Sequence, residues 1–435
     1  MNDCTPPTDL SYPETSATAS PSPANEPSIS LGSPARAHIA TAQPEAALPS
    51  GTPGQIIPPL SFNFLCYLSI GVPLAVLPTY AHLQLGFGTV LAGLVISTQY
   101  VATIFSRPRA GRMTDVLGPK RTVIYGLLIS ALSGVITLSS AYLAHWPHLC
   151  LVFLLAGRLS LGLGESLISI GALMWGIARA GSHNVVKVIS WNGVGTYGGL
   201  ALGAPLGILL AQHGGLVSVG LFTSVLCLSA ILLARRLESV PVLPHEPAPF
   251  AHIFRKVGLY GSALALGSIG FGVLATFVTL FYASRHWGGA ALALTLYGFC
   301  FIVARLIFSP FILLRGGFQV AMVSFTVEFV GLLLLGFAHT RPIAFLGAAL
   351  IGFGFSLIYP ALAVEAVRSI PVHMRGSALG TYGVSVDVSL FLTGPIAGAI
   401  ISRYNYSAAF FSVAAAVLLA LAITAFLDSR SQELA

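Results

Sequence analysis

Residues 89–144 read TVLAGLVISTQYVATIFSRPRAGRMTDVLGPKRTVIYGLLISALSGVITLSSAYLA, and their pattern decides the fold. Two apolar runs, over residues 89–107 and 121–144, flank a short segment rich in arginine. About 20 residues of α-helix, at a rise of about 1.5 Å each, cross the hydrocarbon core of a bilayer. The stretch is therefore predicted to form two transmembrane helices joined by a basic connection.

The same alternation of apolar runs and short polar breaks continues along most of the chain. The predicted spans cover residues 57–80, 89–107, 121–144, 149–178, 188–212, 216–234, 257–284, 289–314, 318–338, 342–366, 376–401 and 407–427. These runs are continuous and do not alternate in polarity, which excludes a transmembrane β-barrel. The predicted fold is an all-α membrane protein with twelve transmembrane helices in two pseudo-symmetric six-helix bundles.

The composition excludes several other classes of protein. Of the 435 residues, 55% are hydrophobic and only 8% are charged, whereas soluble domains carry about 25% charged residues. The formal net charge is +7, but the basic residues are scattered among apolar segments, so no nucleic-acid partner is expected. The five cysteines lie far apart with no CxxC pair, and neither a metal site nor a bound cofactor is expected.

The chain divides into five predicted regions. Residues 1–55 are rich in proline and serine and are predicted to be a disordered cytoplasmic tail. The six-helix bundles are assigned to residues 56–234 and 257–428, with a cytoplasmic linker over 235–256 and a short cytoplasmic tail over 429–435. Most lysines and arginines fall in connections on one side, which predicts that this side and both termini are cytoplasmic. We expect a multi-pass protein of the bacterial inner membrane.

The two predicted bundles also repeat each other in sequence. Matched pairs are Gly164 with Gly354 and Pro205 with Pro395 at a shift of 190, and Arg107 with Arg305 and Gly118 with Gly316 at a shift of 198. Weak internal repeats of this kind are typical of secondary transporters, whose substrates bind between the repeats.

Several motifs resemble those of the major facilitator superfamily, over about residues 57–428. Residues 111–121 (GRMTDVLGPKR) resemble the signature between its helices 2 and 3, and residues 158–165 (RLSLGLGE) resemble a helix 4 motif of proton-coupled members. Residues 199–207 (GLALGAPLG) resemble the helix 5 motif of exporters. Residues 352–380 are similar to an efflux-type subgroup, the YhhS/YfcJ-like proteins labelled arabinose-efflux or multidrug-like. The resemblance implies the same fold and suggests export.

A gating role is predicted for the connection between helices 2 and 3. We expect Asp115 to face the positive end of the helix that begins near Gly376. The alternative is a basic loop that binds lipid headgroups. The second-half copy has Leu313 where Asp115 would map, so the same latch is not expected there. The predicted gating residues are Gly111, Arg112, Asp115, Gly118, Lys120, Arg121, Glu365, Arg305 and Arg375. Of these, Glu365 at the cytoplasmic end of helix 10 is expected to form a salt-bridge cluster with Arg305 and Arg375, and with Arg368.

Small residues mark one face of helix 5. Gly199, Gly203 and Gly207 recur at intervals of four, which favours close packing against another helix. Pro205 lies among them and is predicted to kink the helix. Packing accounts for this pattern fully, so its link with export depends on the resemblance.

Charged residues inside predicted spans are candidates for the proton-coupling or substrate site, because charge at bilayer depth is costly. Arg158 and Glu165 share one face of helix 4, about 10 Å apart along its axis, so a direct ion pair between them is not expected. Asp387 in helix 11 is a second candidate, and its repeat counterpart is Tyr197. Glu328 in helix 9 is a weaker one. The alternative for Arg158 and Glu165 is a satisfied packing network inside the first half, and Glu328 is expected to be either protonated or paired with a neighbouring helix.

These observations predict a secondary transporter that exports a small amphipathic or polar molecule in exchange for protons, by alternating access. No GxxxxGK[ST] motif is present, so direct use of ATP is not expected. The energy comes from an ion gradient, for which we expect protons, or transport is passive. No nucleophile–base constellation suggests an enzyme. The expected partners are the substrate and the bilayer, and the expected functional unit is a monomer. The alternatives are a proton symporter that imports a sugar or organic anion held by Arg158, and a receptor or scaffold without transport.

Overall fold

The computed structural model describes residues 53–181, 184–240, 250–368, 370 and 375–433. The disordered tail predicted over residues 1–55 lies outside the described part as far as residue 52, and residues 53–55 belong to the first helix. Residues 48–435 form one compact unit.

Long apolar helices follow one another through the described residues. They are α1 Pro53–Leu74, α2 Thr89–Leu117, α3 Pro119–Ala141, α4 Pro147–Ala180, α5 and α6 together as Val185–Arg236, α7 Phe250–Ser284, α8 Ala290–Phe308, α9 Gly317–Gly336, α10 Arg341–Arg368, α11 Arg375–Arg403 and α12 Tyr406–Glu433. Short helical turns extend α1 over Leu77–Thr79 and Tyr80–Gln84, and follow α8 over Phe311–Arg315.

The Val185–Arg236 segment contains two helices with a break between them. Gly214 and Gly215 have non-helical dihedral angles, and Gly215 has a φ of 59°, which favours glycine. The Ser218 hydroxyl donates to the Leu210 carbonyl across this turn, at 2.6 Å. We therefore number residues 185–213 as α5 and 216–236 as α6. The prediction of an all-helical protein with twelve apolar segments is confirmed for the described residues.

The internal repeat is visible in the packing of each half. A methyl group added at Gly164 on α4 would lie 2.8 Å from the Gly126 carbonyl oxygen on α3. A methyl group at Gly354 on α10 would lie 2.6 Å from the Ser324 carbonyl oxygen on α9. Both pairs of positions are related by the shifts read from the sequence. The backbone repeats as well, because Gly118 (φ 85°, ψ 154°) and Gly316 (φ 86°, ψ 155°) start α3 and α9 in the same conformation.

Several boundaries differ from the prediction. Helix α2 continues to Leu117, so Gly111 lies inside a helix and not in a loop, with open space around it. Helix α6 ends at Arg236 and α7 begins at Phe250, so the linker is shorter than predicted, and its residues 241–249 lie outside the described part. The last helix continues to Glu433. Helical dihedral angles continue through Pro205, and the break in this segment comes at Gly214.

Two seams join the halves, and we name them by their helices. In the α2/α11 seam, a methyl group at Gly93 would collide with Gly394, and the Thr89 hydroxyl donates to the Gly398 carbonyl at 2.7 Å. In the α5/α8 seam, the Thr295 hydroxyl donates to the Ala201 carbonyl at 3.0 Å. Small residues allow the backbones to approach this closely. The functional side chains lie further along these two seams.

Candidate functional site: a charged network between the two halves

Glu165 lies at the centre of three helices of the first half. Its side chain on α4 is buried. It accepts hydrogen bonds from the Tyr67 hydroxyl on α1 at 2.9 Å and from the Gln99 amide nitrogen on α2 at 2.5 Å. The carboxylate is therefore held by neutral donors in a site enclosed by protein, as expected for a carboxylate that faces the interior of the bundle.

Arg107 connects this acid to the other half of the molecule. Its guanidinium on α2 donates through Nε and Nη2 to the two carboxylate oxygens of Asp387 on α11, with Nη2 at 2.9 Å from Oδ1. The same Nη2 lies 3.7 Å from Glu165 Oε1. Bidentate pairing of this kind is strong and directional. One cation is thus shared by two acids, one from each half.

Sequence reasoning did not single out Arg107 because it placed this residue at the end of a span. Helix α2 extends ten residues beyond it, to Leu117, a further rise of about 15 Å. Arg107 therefore lies well within the helix and not in a connecting loop. The available signal was the repeat, which aligns Arg107 with Arg305.

Arg158 is buried close to this network but is not part of its hydrogen bonding. Its side chain is 1% exposed, and within the described ranges Nε, Nη1 and Nη2 have no hydrogen-bond partner. It forms no ion pair with Glu165, as the helical spacing predicted. Tyr100 on α2 is near enough to interact electrostatically with Arg158, Glu165 and Asp387. A buried cation with unused donors is costly, and this favours a functional role.

Glu328 occupies a separate place in the second half. It is fully buried on α9, and neither carboxylate oxygen has a partner among the described residues. A methyl group at Gly270 on α7 would collide with Oε1, and one at Gly354 on α10 would lie 2.6 Å from the Glu328 nitrogen. The acid therefore lies among α7, α9 and α10, near enough to Tyr197 and Tyr297 to interact electrostatically with both.

Arg305 does not join the cluster with Glu365 that the sequence suggested. Its side chain on α8 is 5% exposed, and the guanidinium carbon lies 5.2 Å from the centre of the Phe301 ring. A methyl group at Gly193 on α5 would lie 3.5 Å from Nη2. The guanidinium therefore points across the α5/α8 seam.

Glu365 instead holds the start of a neighbouring helix. Its Oε1 accepts the backbone N–H of Gly317, the first residue of α9, at 2.9 Å. Arg368 lies 3.6 Å away and is 76% exposed, so this ion pair contributes little. A carboxylate at a helix N-terminus is favourable. The Arg375 side chain, the third member of the predicted cluster, lies outside the described part.

The connection between α2 and α3 shows contacts within the first half. The Lys120 ammonium donates to the backbone carbonyls of Arg235 at 3.0 Å and Leu237 at 2.6 Å, which caps the end of α6. Arg112 and Arg121 are exposed. Asp115 lies in the last turn of α2 and has an interaction partner. Its predicted contact near Gly376 falls on side chains outside the described part and stays a prediction.

The glycine face of α5 lies against α1. A methyl group at Gly199 would lie 2.6 Å from the Phe64 carbonyl oxygen, and one at Gly203 would lie 2.8 Å from Gly71 Cα. A methyl group at Gly207 would collide with the Val72 carbonyl. This face therefore packs inside the first half, leaving the other faces of α5 for the seam.

Aromatic side chains from both halves meet beside Arg305, which sequence reasoning did not predict. The Tyr197 ring on α5 stacks on Phe301 on α8, with ring centres 3.6 Å apart. Phe271 on α7 stacks on Tyr297 at 5.2 Å, and Phe355 on α10 lies 6.3 Å from Phe271. We call these five residues the aromatic cluster. In the described residues, no group of three His, Cys, Asp or Glu side chains could hold a metal ion.

Sequence comparison identifies relatives over most of the chain. The family model described as Major Facilitator Superfamily matches residues 60–389 and 289–434. An uncharacterized MFS-type transporter from Burkholderia pseudomallei (strain 1106a) is 48% identical over 382 residues, which covers 87% of this chain and 93% of the relative. The MFS-type transporter YhhS from Shigella flexneri is 46% identical over 379 residues, covering 87% of this chain and 94% of the relative.

The fold of this chain is also similar to that of solved transporter structures. The crystal structure of the POT family transporter PepTSo superimposes with a TM-score of 0.70 over 88% of this chain and 99% of that protein. The two sequences are 14% identical, so this likeness concerns the fold alone.

Proposed function

The chain belongs to the Major Facilitator Superfamily, and from that premise we propose that it is a proton-coupled exporter of a small amphipathic or polar molecule. It is a multi-pass membrane protein, and the distribution of basic residues supports an inner-membrane location with both termini in the cytoplasm. The proton gradient is the energy source, no cofactor takes part, and a single chain is the functional unit.

The observation that carries this proposal is the sharing of Arg107 by Glu165 and Asp387. Glu165 belongs to the first half and Asp387 to the second, and both oxygens of Asp387 are engaged by Arg107. A cation that has two alternative anionic partners can move from one to the other. Such a pair of arrangements gives the two-state element that coupling between sites requires.

Protonation would decide which acid holds the cation. With both acids ionised, the three side chains carry a net charge of −1, and one proton makes the network neutral. Because uncompensated charge is costly inside a membrane protein, the neutral state is the favoured one. A proton on Asp387 releases Arg107 towards Glu165 and weakens the tie between α2 and α11. A proton on Glu165 leaves that tie intact.

The transport cycle follows from this difference. A proton that enters from outside neutralises Asp387 or Glu165; when it lies on Asp387 the seam between α2 and α11 loosens, and the substrate leaves outward. Loss of the proton towards the cytoplasm restores the charged, substrate-accepting network. Arg158, with its unused donors, would serve as an alternative partner for Glu165 or for the substrate during this change.

A second candidate function is proton-coupled import of an anion. The observation that favours it is Arg158, a buried cation with no partner among the described residues. In this case the anion and the proton would enter the cavity together, since the negative charge of the anion and the positive charge of the proton cancel. Accumulation of substrate by energised cells would identify it.

Proton movement in inside-out vesicles tests the main proposal. The vesicles contain wild-type protein, Glu165→Gln or Glu238→Gln, and are energised so that their interior is acidic. Addition of pooled candidate compounds is expected to release protons with wild type and with Glu238→Gln, whose acid is exposed. Glu165→Gln is expected to abolish the release, because the amide cannot take up a proton.

Proton release that is unaffected by Glu165→Gln would assign the coupling proton to Asp387 and contradict the role given to Glu165. No release with any compound, together with substrate uptake by whole cells, would replace export by import. The Glu238→Gln control detects losses that come from expression or insertion.

A further inference from the structure

Arg305 lies in an unusual environment for a buried cation. Its side chain is 5% exposed, and within the part of the chain that the structure describes it forms no ion pair with a carboxylate. The Phe301 ring covers one side of the guanidinium. Tyr197 and Tyr359 lie near enough to interact electrostatically, but a neutral hydroxyl does not balance a charge. A buried guanidinium without an anion is destabilised.

The internal repeat shows which group is missing. A shift of 198 relates Arg107 to Arg305, and a shift of 190 relates Tyr197 to Asp387. In the α2/α11 seam, Arg107 therefore meets an acid from the opposite half. In the α5/α8 seam, Arg305 meets Tyr197 at the equivalent position. The second seam has the cation of the first without its carboxylate.

The donors of Arg305 are not used by the described residues. Nε is enclosed by protein and has no hydrogen-bond partner, and Nη2 faces Gly193 across the α5/α8 seam. A guanidinium binds a carboxylate in a forked arrangement through Nη1 and Nη2, or through Nε and Nη2 as Arg107 does. Arg158 differs, since all three of its nitrogens are enclosed.

The largely buried rings of the aromatic cluster pack beside the guanidinium. Tyr197 comes from the first half, and Phe271, Tyr297, Phe301 and Phe355 come from the second. The rings of Phe271 and Phe355 are nearly parallel, with an interplanar angle of 11°. Aromatic rings of this kind bind flat apolar groups. A cation next to such rings fits a molecule with an anionic head and an apolar body.

We infer that Arg305 binds the carboxylate of the cargo and that the aromatic cluster receives its apolar body, so that the cargo is a small organic monoanion. This inference rests on the proposed transport function and specifies its substrate class. The bound anion would supply to the α5/α8 seam the charge that Asp387 supplies to the α2/α11 seam. Because Arg305 on α8 faces Gly193 on α5, an anion held there contacts both halves.

Direct binding to the purified full-length chain tests the inference. The probes are radiolabelled naphthoate, which carries a carboxylate on an aromatic body, and the neutral amide naphthamide as competitor. Wild type is expected to bind naphthoate at least about tenfold more tightly than naphthamide, because a charged hydrogen bond is lost with the amide. Arg305→Gln is expected to remove this preference. Arg315→Gln, an exposed arginine that follows α8, is expected to keep it.

Two variants at one position separate charge from shape. Gly193→Asp places a carboxylate beside Arg305 Nη2, and it is expected to weaken naphthoate binding by about tenfold or more by occupying the cation. Gly193→Asn has nearly the same size without the charge, and is expected to bind naphthoate more tightly than Gly193→Asp by a similar factor. Both variants are compared only after they elute as monodisperse protein.

Four results would overturn the inference. Two concern wild type: no binding of naphthoate, or equal affinity for naphthoate and naphthamide. Two concern the variants: wild-type affinity for naphthoate in Arg305→Gln, or naphthoate binding that is as weak in Gly193→Asn as in Gly193→Asp. Proton release from vesicles is measured separately on wild type. Selective naphthoate binding without any coupled proton movement would overturn the proposed exporter function alone, whereas proton coupling without anion selectivity would overturn this inference alone.

Discussion

The α2/α11 and α5/α8 seams are built by the same repeat but carry different charges. Arg107 in the first seam engages Asp387 from the opposite half, whereas Arg305 in the second lies over Phe301 and across from Gly193. The same backbone arrangement, repeated in both halves, thus supports two kinds of contact. The first seam contains a complete ion pair that a proton can break, and the second contains a cation that a ligand can complete.

The difference between the seams suggests that proton binding and cargo binding take place in different seams. The acids that could carry protons, Glu165 and Asp387, both lie within reach of Arg107. The aromatic side chains that could hold an apolar group lie beside Arg305. Both seams cross the boundary between the halves, so that one rocking motion would affect both. Separate sites joined by one motion are a physical basis for coupling.

The largest effect is expected from removing the acid of the α2/α11 seam. Asp387→Asn removes the bidentate acid and leaves Arg107 with Glu165, 3.7 Å away, as its one charged partner, so the network is held in the arrangement proposed for protonated Asp387. Proton-driven transport is expected to fall to background in reconstituted vesicles. Asp428→Asn, near the end of α12, is expected to transport as wild type. Undiminished proton movement by Asp387→Asn would show that the seam is structural.

A steric change in the same seam is expected to have the next largest effect. A side chain at Gly394 would meet Ser97 and the Gly93 carbonyl, and overpacking of this kind costs about 1–3 kcal/mol. Gly394→Val is expected to slow transport by about tenfold and to increase labelling of a Thr89→Cys reporter by an impermeant maleimide. Gly380→Val, on the same helix in open space, is the control. Equal labelling in both variants would contradict the importance of this close approach.

A third change makes the two seams chemically alike. Tyr197→Asp puts an acid at the position equivalent to Asp387, where it is expected to pair with Arg305. Naphthoate binding is expected to be weaker in Tyr197→Asp than in Tyr197→Asn by about tenfold, since both variants lose the ring and only one adds charge. Equal binding by the two variants would show that the loss comes from the ring alone. Equilibrium binding to purified protein gives the measurement.

The smallest effect concerns the backbone that the two halves share. Gly118→Ala and Gly316→Ala each place a side chain at a φ near 85° with a ψ near 155°, a conformation that is essentially confined to glycine and costs roughly 1–3 kcal/mol. Both variants are expected to lower the thermal unfolding midpoint by a similar amount. Gly111→Ala, inside α2 with open space around it, is expected to raise stability by about 0.5–1 kcal/mol. Clearly unequal decreases of the unfolding midpoint in Gly118→Ala and Gly316→Ala would show that the two positions share a backbone conformation but not an equal contribution to stability.

The sequence was most informative where local hydrophobicity decides structure. The apolar runs placed the helices to within a few residues, because each span must satisfy its backbone inside the bilayer by itself. The glycines at 118 and 316 were aligned from sequence, and their dihedral angles agree. The family followed from short motifs and is confirmed by the match over residues 60–389.

Side-chain partners were harder to predict, because they depend on helices far apart in sequence. Glu165 was a candidate from its position in a span, but its donors Tyr67 and Gln99 come from other helices. Glu365 was expected near Arg305, whereas it binds the start of α9. Helix boundaries are set partly by tertiary packing, and the error of ten residues at the end of α2 placed Arg107 in a loop.

The sequence by itself determined that the chain spans a membrane with repeated helices and contains acids and cations at bilayer depth, since hydropathy, charge and spacing are local properties. Only the tertiary structure decided that Arg107 pairs with Asp387 beside Glu165, and that Arg305 lies near Tyr197 and forms no ion pair with a carboxylate of the described residues. The physical reason is that these contacts join residues from different halves, whose approach depends on packing along the two seams.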